Sequence, residues 1–448
     1  MHLKTYSALL GWKCIFFVIV LFLLISTQRA FPQQSDSKSD DNRIFIAKLQ
    51  TLIEAAKNNP KLKAADAKAQ ASEASAQAQK SLDPPQVAVE FYQAPIASFP
   101  NPFKNQMEYD YSLQQMIPFP GKLNAMALSE HKRADMLWTD RQTEEQEIVR
   151  NVKSLYYNLY LKCRQLEINQ ETKALVREFV TIAIAQYEVG AGKQSDILRA
   201  QTEFSSFVND SIVLNQEIKS MQGMINALCN RPVTIDIGFI PEIYPTIKRY
   251  DLNALLLIAE KNRTELKSMV KGIEMQQAER LAAKKEYLPD FMVRGMYKQM
   301  MQTNDDWSLM IGATIPIAPW SAKKYSSAIA RADADIVSAQ TDRDNMKNMI
   351  ASEVNDALLK VESAKDRLKL SKETVIPQAK QTLESALPAY RTGKQDFLAL
   401  IDIQRMLVMA KLDYHMAVMT LLDSQSRLER AVGLSLDEID KTIEKGDR

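Results

Sequence analysis

Residues 122–187 read KLNAMALSEHKRADMLWTDRQTEEQEIVRNVKSLYYNLYLKCRQLEINQETKALVREFVTIAIAQY, with neither proline nor glycine to stop a helix. At 1.5 Å per residue, about 65 residues make a continuous rod of roughly 100 Å. A rod that long does not belong in an ordinary globular enzyme. Val149, Val152, Tyr156, Leu159, Cys163 and Leu166 recur along it at steps of three and four. The same spacing returns at Ile350, Val354, Ala357, Val361, Ala364 and Leu368. It appears a third time at Leu407, Ala410, Tyr414, Ala417, Leu421, Ser424, Leu428 and Ala431. Sustained heptads mean coiled-coil packing, and the small residues at many seam positions let helices approach closely.

The rod ends at Tyr187-Glu188-Val189-Gly190, and that ending is written twice. Tyr187, Gly190 and Gln201 match Tyr390, Gly393 and Gln404 at an offset of 203. Asn58 with Leu62 matches Asn262 with Leu266, Pro84 matches Pro289, and Ile117-Pro118 matches Ile315-Pro316. Four landmarks in order at nearly constant offset describe one architecture made of two homologous halves. Each half reads helix, two strands, long helix, sharp turn, long helix.

The strands follow a period of two. Met107, Tyr109, Tyr111 and Leu113 alternate with Glu108, Asp110 and Ser112; Trp307, Leu309, Ile311, Ala313 and Ile315 alternate with Ser308, Met310, Gly312 and Thr314. Val87, Val89 and Phe91 form another run, and Phe291, Val293 and Tyr297 oppose Arg294 and Lys298. Strands are expected at about 86–93, 107–117, 291–300 and 307–316. Each is near the length that a tilted strand needs to cross a bilayer. A half-buried soluble sheet shows the same alternation, but the flanking prolines 84, 85, 118, 120, 289, 316 and 319 mark abrupt helix-to-strand junctions. Four strands cannot close a membrane barrel, because open edges are intolerable in lipid. Spanning strands therefore demand several copies: two would supply about eight strands and three about twelve.

Composition agrees. The chain has 448 residues, 12 glycines, 46% apolar residues and a net charge of +2, a balance that favours long helices over a turn-rich β protein. The near-neutral charge argues against a nucleic-acid partner. Lys4, Lys13, the apolar run Ile15 to Ile25 and a cleavage point near Ala30 mark residues 1–30 as a signal peptide. Cys14 precedes the apolar run, so a lipidated mature N-terminus is not expected, and Cys163 and Cys229 read as small core residues. No later segment reads as a membrane-spanning helix.

Exported, duplicated, with paired hairpins on coiled-coil rods and Tyr-x-x-Gly turns, the sequence resembles the TolC-type outer-membrane efflux factors from about Arg43 to Gly433. The run Ile117-Pro118-Phe119-Pro120-Gly121-Lys122 is similar to the strand-to-helix junction of the heavy-metal branch. The resemblance implies a fold that is mainly α with membrane β, repeat one over 43–232 and repeat two over 250–433. It implies a homotrimer whose twelve-stranded barrel lies in outer-membrane lipid, above an α-helical tunnel in the periplasm. It further implies a periplasmic adaptor, an inner-membrane pump, commonly of the resistance-nodulation-division type, and no catalysis or cofactor. The cargo it implies is a heavy-metal cation, or else a drug or other small molecule.

By position, Asp196 matches the family's first-turn gate aspartate and Asp402 a second-turn acidic position. Ala399 and Gln395 stand where the family has a further aspartate and its gate arginine, which leaves Arg199 or Lys394 to take the arginine's part. Three copies of each aspartate around a constriction attract cations and can hold a divalent ion. Tyr187, Gly190, Tyr390 and Gly393 would form the adaptor-contact tips.

Other signals carry less. Gly190-Ala191-Gly192-Lys193 lacks the glycine, the Ser or Thr and the preceding strand of a phosphate loop. His131 and His415 stand alone, so no metal cluster and no nucleophile–base pair is legible. Met292, Met296, Met300, Met301 and Met310 gather in one hairpin; soft thioethers suit Cu(I) or Ag(I), but methionine is chiefly a flexible apolar residue, and the group reads first as gap filling or barrel lining. The competing fold is a soluble periplasmic coiled-coil adaptor whose hairpins pack in a small sheet.

Overall fold

The structure is a computed structural model that describes residues 48–446 except 93, 95, 102, 104–107, 239, 302 and 317. The signal peptide expected over 1–30, the start of repeat one before residue 48, and strand positions 93 and 107 lie outside the described residues. Helices α1 (Leu49–Ala56) and α2 (Pro60–Ala78) lead into strands β1 (Gln86–Tyr92) and β2 (Glu108–Ile117), then helices α3 (Lys122–Glu188) and α4 (Gln194–Leu228). The second half repeats the order: α5 (Leu252–Asn262), α6 (Thr264–Lys285), β3 (Phe291–Met300), β4 (Asp306–Ala313) and α7 (Ala322–Leu370). A π turn (Ser371–Val375) then leads to α8 (Ile376–Arg391), α9 (Phe397–Val432) and the terminal α10 (Leu436–Gly446).

The uninterrupted rod is present as α3, 67 residues long. Its counterpart in the second half is broken. Pro377 has no N–H to offer the carbonyl of Glu373, and the π turn just before it takes up the mismatch. The single lead-in helix expected in each half is also two helices, split at Asn59-Pro60 and at Arg263-Thr264. Strand β4 begins at Asp306 and stops at Ala313, short of the expected 316. Thr314 exchanges bonds with Asp290 (2.8 and 2.9 Å), and Pro316, lacking a donor, ends the pairing.

The seams hold their residues as spaced. Ile350, Val354, Ala357, Val361, Ala364 and Leu368 are all buried, as are Leu407, Ala410, Ala417, Leu421, Leu428 and Ala431. All but Leu407 and Ala410, which pack with Ala379 in a separate small cluster, join Val152, Tyr156, Leu159 and Tyr160 of α3 in one core that α1 and α5 cover. Tyr160 also donates or accepts a bond with His415 Nδ1 at 3.1 Å, and burial, the main cause, holds the His415 imidazole below its ordinary value.

The duplication reaches a level that the landmarks do not reveal. A helix end leaves carbonyls without intrahelical partners. At the end of α4, Asn59 Nδ2 donates to the Leu228 carbonyl at 2.9 Å; at the end of α9, Arg263 Nη1 donates to the Arg430 carbonyl at 2.6 Å. Asn59 and Arg263 both occupy the break between the two lead-in helices. In each half, that break serves the far end of the returning rod.

Two contacts connect the halves at the sheet. The junction at Phe119 and Lys122 closes on Asp290 of the second half: Phe119 N donates to Oδ1 (3.1 Å) and Lys122 Nζ to Oδ2 (2.7 Å). Gly121 makes the sharp entry into α3 at φ 86°, a region an L side chain avoids. The four strands then form one antiparallel sheet in the order β1-β2-β3-β4, so the two hairpins adjoin through β2 and β3. β1 and β4 are its open edges.

Candidate functional site

Two regions hold the chemistry that a transport function would use: the helical turns far from the sheet, and the sheet itself. The two turns have the same geometry. Gly190 at φ 73° and Gly393 at φ 72° let the chain reverse. Each glycine N–H donates back to its tyrosine carbonyl (3.0 and 2.9 Å). The next N–H reaches the carbonyl before that tyrosine, Ala191 to Gln186 and Lys394 to Ala389, both at 2.9 Å.

Their side chains differ. Tyr187 is 49% exposed, whereas Tyr390 is 7% exposed and packs on Phe397 with ring centroids 5.5 Å apart. Tyr390 belongs to a small core with Phe179, Ala200, Leu400 and Ile401. Burial, then the carboxylates of Asp196 and Asp396, push its hydroxyl up, which keeps it neutral. Of the two tyrosines placed at the tips by the sequence, Tyr187 alone offers a free ring to a partner.

Asp196 lies in the first turn of α4, half-buried and close enough to act on Tyr390, while Asp402 is exposed on α9. Neither aspartate forms an ion pair with Arg199 or Lys394 among the described residues; Asp402 instead stands near Arg405. Arg199 and Lys394 are both exposed, and neither pairs with a carboxylate among the described residues. The arginine that does pair is Arg405, which sequence reasoning missed. Its guanidinium holds Glu203 of α4 in a two-point contact (3.0 and 2.6 Å) and stands 4.0 Å from Asp402. This contact links the returning rods of the two halves, 202 residues apart. Its one signal in sequence is the step of three from Asp402, which any helix surface shows. Nearer the tip, Arg391 joins Glu178 of α3 at 2.9 Å.

The sheet separates its residues by face. The register aligns Val89 with Tyr111, Tyr111 with Tyr297, and Tyr297 with Trp307; it also aligns Leu113 with Gly295 and Gly295 with Leu309. This face is apolar and exposed in the single chain. Aromatic pairs mark both ends of it: Phe91 with Tyr109 (5.7 Å) and Tyr111 with Tyr297 (6.3 Å) near the hairpin turns, and Phe119 with Phe291 (6.4 Å) near the helices. From Phe291 to Tyr297 is about 20 Å along the strand. An apolar band between two aromatic girdles is the outer surface of a membrane strand.

The other face is polar and carries methionines. Met292, Met296, Met300 and Met310 all fall on it, and Met116 joins them from the first hairpin, directly opposite Met292. Gly312 leaves room for Met292, whose Cε would lie 3.2 Å from a Cβ at that position. Met301 lies in the hairpin turn instead. Among the described residues, no helix is long and apolar enough to cross a membrane, and no three of His, Cys, Asp and Glu stand together as metal ligands.

Comparison with known proteins adds the family. The model of the outer membrane efflux protein family matches residues 51–221 and 255–434, one match per repeat. No curated protein sequence matches the chain. Among solved structures, the outer-membrane channel OprN superimposes with a TM-score of 0.71 at 16% identity, covering 86% of this chain and 89% of that one. CusC gives 0.71 at 18% identity, covering 88% and 93%. The outer membrane protein VceC of Vibrio cholerae gives 0.70 at 15% identity, covering 86% and 96%. At such identities the likeness concerns the fold.

Proposed function

Because this chain belongs to the outer membrane efflux protein family, and is thereby an outer-membrane efflux channel, we propose that three copies close into one passive conduit. The observation that carries this reading is the sheet: four strands, an apolar outer face and two unpaired edges. In lipid every backbone donor and acceptor needs a partner, so β1 of one copy must take β4 of another. Three copies, the number the resemblance implies, close twelve strands. The rods support the same assembly. α4 buries only Ala200, Ile225 and Asn226 of its 35 residues and leaves Val208, Ile212 and Val213 exposed along one stretch, as a helix awaiting neighbouring copies would.

The helices would form the periplasmic tunnel, with the turns at Gly190 and Gly393 and the ring of Tyr187 meeting a periplasmic adaptor. An inner-membrane pump of the resistance-nodulation-division type would supply the cargo. The gate would lie just above the turns, where Asp196 and Asp402 recur in each copy and Arg405 holds Glu203 across the two halves. Freed of that contact, the returning rods can part.

Planar-bilayer recordings on the purified chain test this. Wild type is expected to conduct poorly and to be blocked by divalent cations. Arg405→Ala should raise conductance, and joint replacement of Asp196 and Asp402 by Ala should relieve the block. Unchanged conductance and block would remove these residues from the gate, and a freely soluble monomer would end the conduit reading.

For the cargo we propose heavy-metal cations, supported by the five thioethers on the water-facing wall, since soft sulfur suits Cu(I) and Ag(I). A strain lacking the protein should become sensitive to copper, silver, zinc, cobalt or cadmium more than to dyes, detergents and antibiotics. The reverse pattern would keep the conduit and retire the metal.

A further inference from the structure

On the polar face, all four strands present a charged side chain at one level. The register sets Glu90 against Asp110, Asp110 against Lys298, and Lys298 against Asp306. The row thus runs from one open edge of the sheet to the other, beside the hairpin turns and far from the helices. Glu108, one step nearer the turn, adds a fourth carboxylate against the single ammonium.

That ammonium is fully engaged. Lys298 Nζ lies 2.8 Å from Glu108 and 3.6 Å from Asp110. Asp110 is 4% exposed, and its Oδ1 is buried without any donor. The two acids on the edge strands, Glu90 and Asp306, are exposed and form no ion pair among the described residues. Among the described residues, the nearest other cation on this face, Arg294, is turned to Gln114 at 2.8 Å. Negative charge is therefore left over at this level, both inside the wall and on its surface.

We propose that this row is a charge filter at the outer mouth of the channel, admitting cations and turning back anions. It rests on the trimeric reading above, in which three copies of the row, each climbing the wall with the tilt of the strands, surround the opening. Among the described residues no chelating cluster is present, so the three rows would act through their field rather than by holding an ion. The size of the pore decides when that field matters. Twelve strands about 4.8 Å apart, tilted by about 40°, enclose a radius of about 12 Å. The Debye length is about 30 Å at 10 mM salt and about 3 Å at 1 M. At low salt the field fills the opening; at high salt it stays at the wall.

The test is the reversal potential of the full-length channel in planar bilayers under a KCl gradient. Glu90 and Asp306 are the residues to change, because both are exposed and neither replacement strands a buried charge. With the dilute side near 10 mM, Glu90→Gln with Asp306→Asn should lower the K⁺ over Cl⁻ permeability ratio at least about threefold. Glu90→Lys with Asp306→Lys should bring it below one. Near 1 M salt the three proteins should agree. Equal ratios for wild type and the neutralised channel at low salt would overturn the filter while leaving the conduit intact. So would a wild-type ratio that Asp196→Asn and Asp402→Asn alone abolish. Absence of any channel from the wild-type protein would overturn the conduit reading and the filter with it.

Discussion

Leu309→Arg should prevent the chain from assembling in a membrane, whereas Ser308→Arg, one residue away, should be tolerated. Leu309 lies mid-strand in β4, opposite Gly295 on the apolar face, and is 59% exposed in the single chain. Once a bilayer covers that face, an arginine there must leave water for hydrocarbon. The cost near the midplane of a membrane barrel is about 2–4 kcal/mol per side chain. Three copies carry it together, and each 1.4 kcal/mol is about tenfold in the equilibrium. Ser308 faces the polar wall opposite Met296, where a guanidinium keeps its water. Its replacement should change stability by less than about 1 kcal/mol. The measurement is the yield of heat-modifiable assembled protein after folding into lipid vesicles. Equal yields for the two variants, or a worse one for Ser308→Arg, would mean that the faces have been assigned the wrong way round.

The second large effect is expected far from lipid. Arg263 is 5% exposed and makes three contacts: Nη1 to the Arg430 carbonyl (2.6 Å), Nη2 to Glu353 (2.6 Å) and Nε to Glu265 (2.8 Å). Its backbone also lies against Gly433, where a Cβ would come within 3.2 Å of Arg263 Cα. Arg263→Ala removes the partner of a partly buried carboxylate and of an orphan helix-end carbonyl in one step. Breaking a buried pair from one side costs about 3–5 kcal/mol. Arg343→Ala, which loses only an exposed contact to its neighbour Asp344, should cost about 0.5 kcal/mol or less. Apparent melting temperatures of the two variants provide the comparison, and a similar small fall in both would refute the assignment.

The same cluster sets an acid response. Burial alone would raise the Glu265 carboxyl, but Arg430 and Arg263 outweigh it and hold the group below its ordinary value. A depressed carboxylate contributes stability that is complete above its unfolded value, about pH 4.5. That contribution is lost as pH falls through the lower folded value. Wild type should therefore lose melting temperature below about pH 4.5, and Arg263→Ala, having less of this stabilisation to lose, should show a shallower fall over that window.

Much of the architecture was legible in residues 122–190 and their copy two hundred residues on. Helical and strand periods are local, so the seams at Ile350 to Leu368 and the alternation at Trp307 to Ala313 could be read directly. The turn glycines could be read for the same reason, since a positive φ is a demand on one residue. The break at Ser371–Val375 shows the limit of that reading: Pro377 is plain in the sequence, but whether it ends a helix or is absorbed by a π turn depends on what packs around it.

What the sequence by itself determined is a duplicated chain of heptad rods and half-apolar strands that cannot be complete as one copy. Only the tertiary structure decided which strands are neighbours and in what register, and hence that Glu90, Asp110, Lys298 and Asp306 share a level. It also decided that Met116 joins the other methionines, that Tyr187 is free while Tyr390 is buried, and that Arg405 meets Glu203. These depend on pairings between residues up to about two hundred positions apart. Periodicity specifies the face on which a side chain lies; it does not specify the partner that the fold brings to that face.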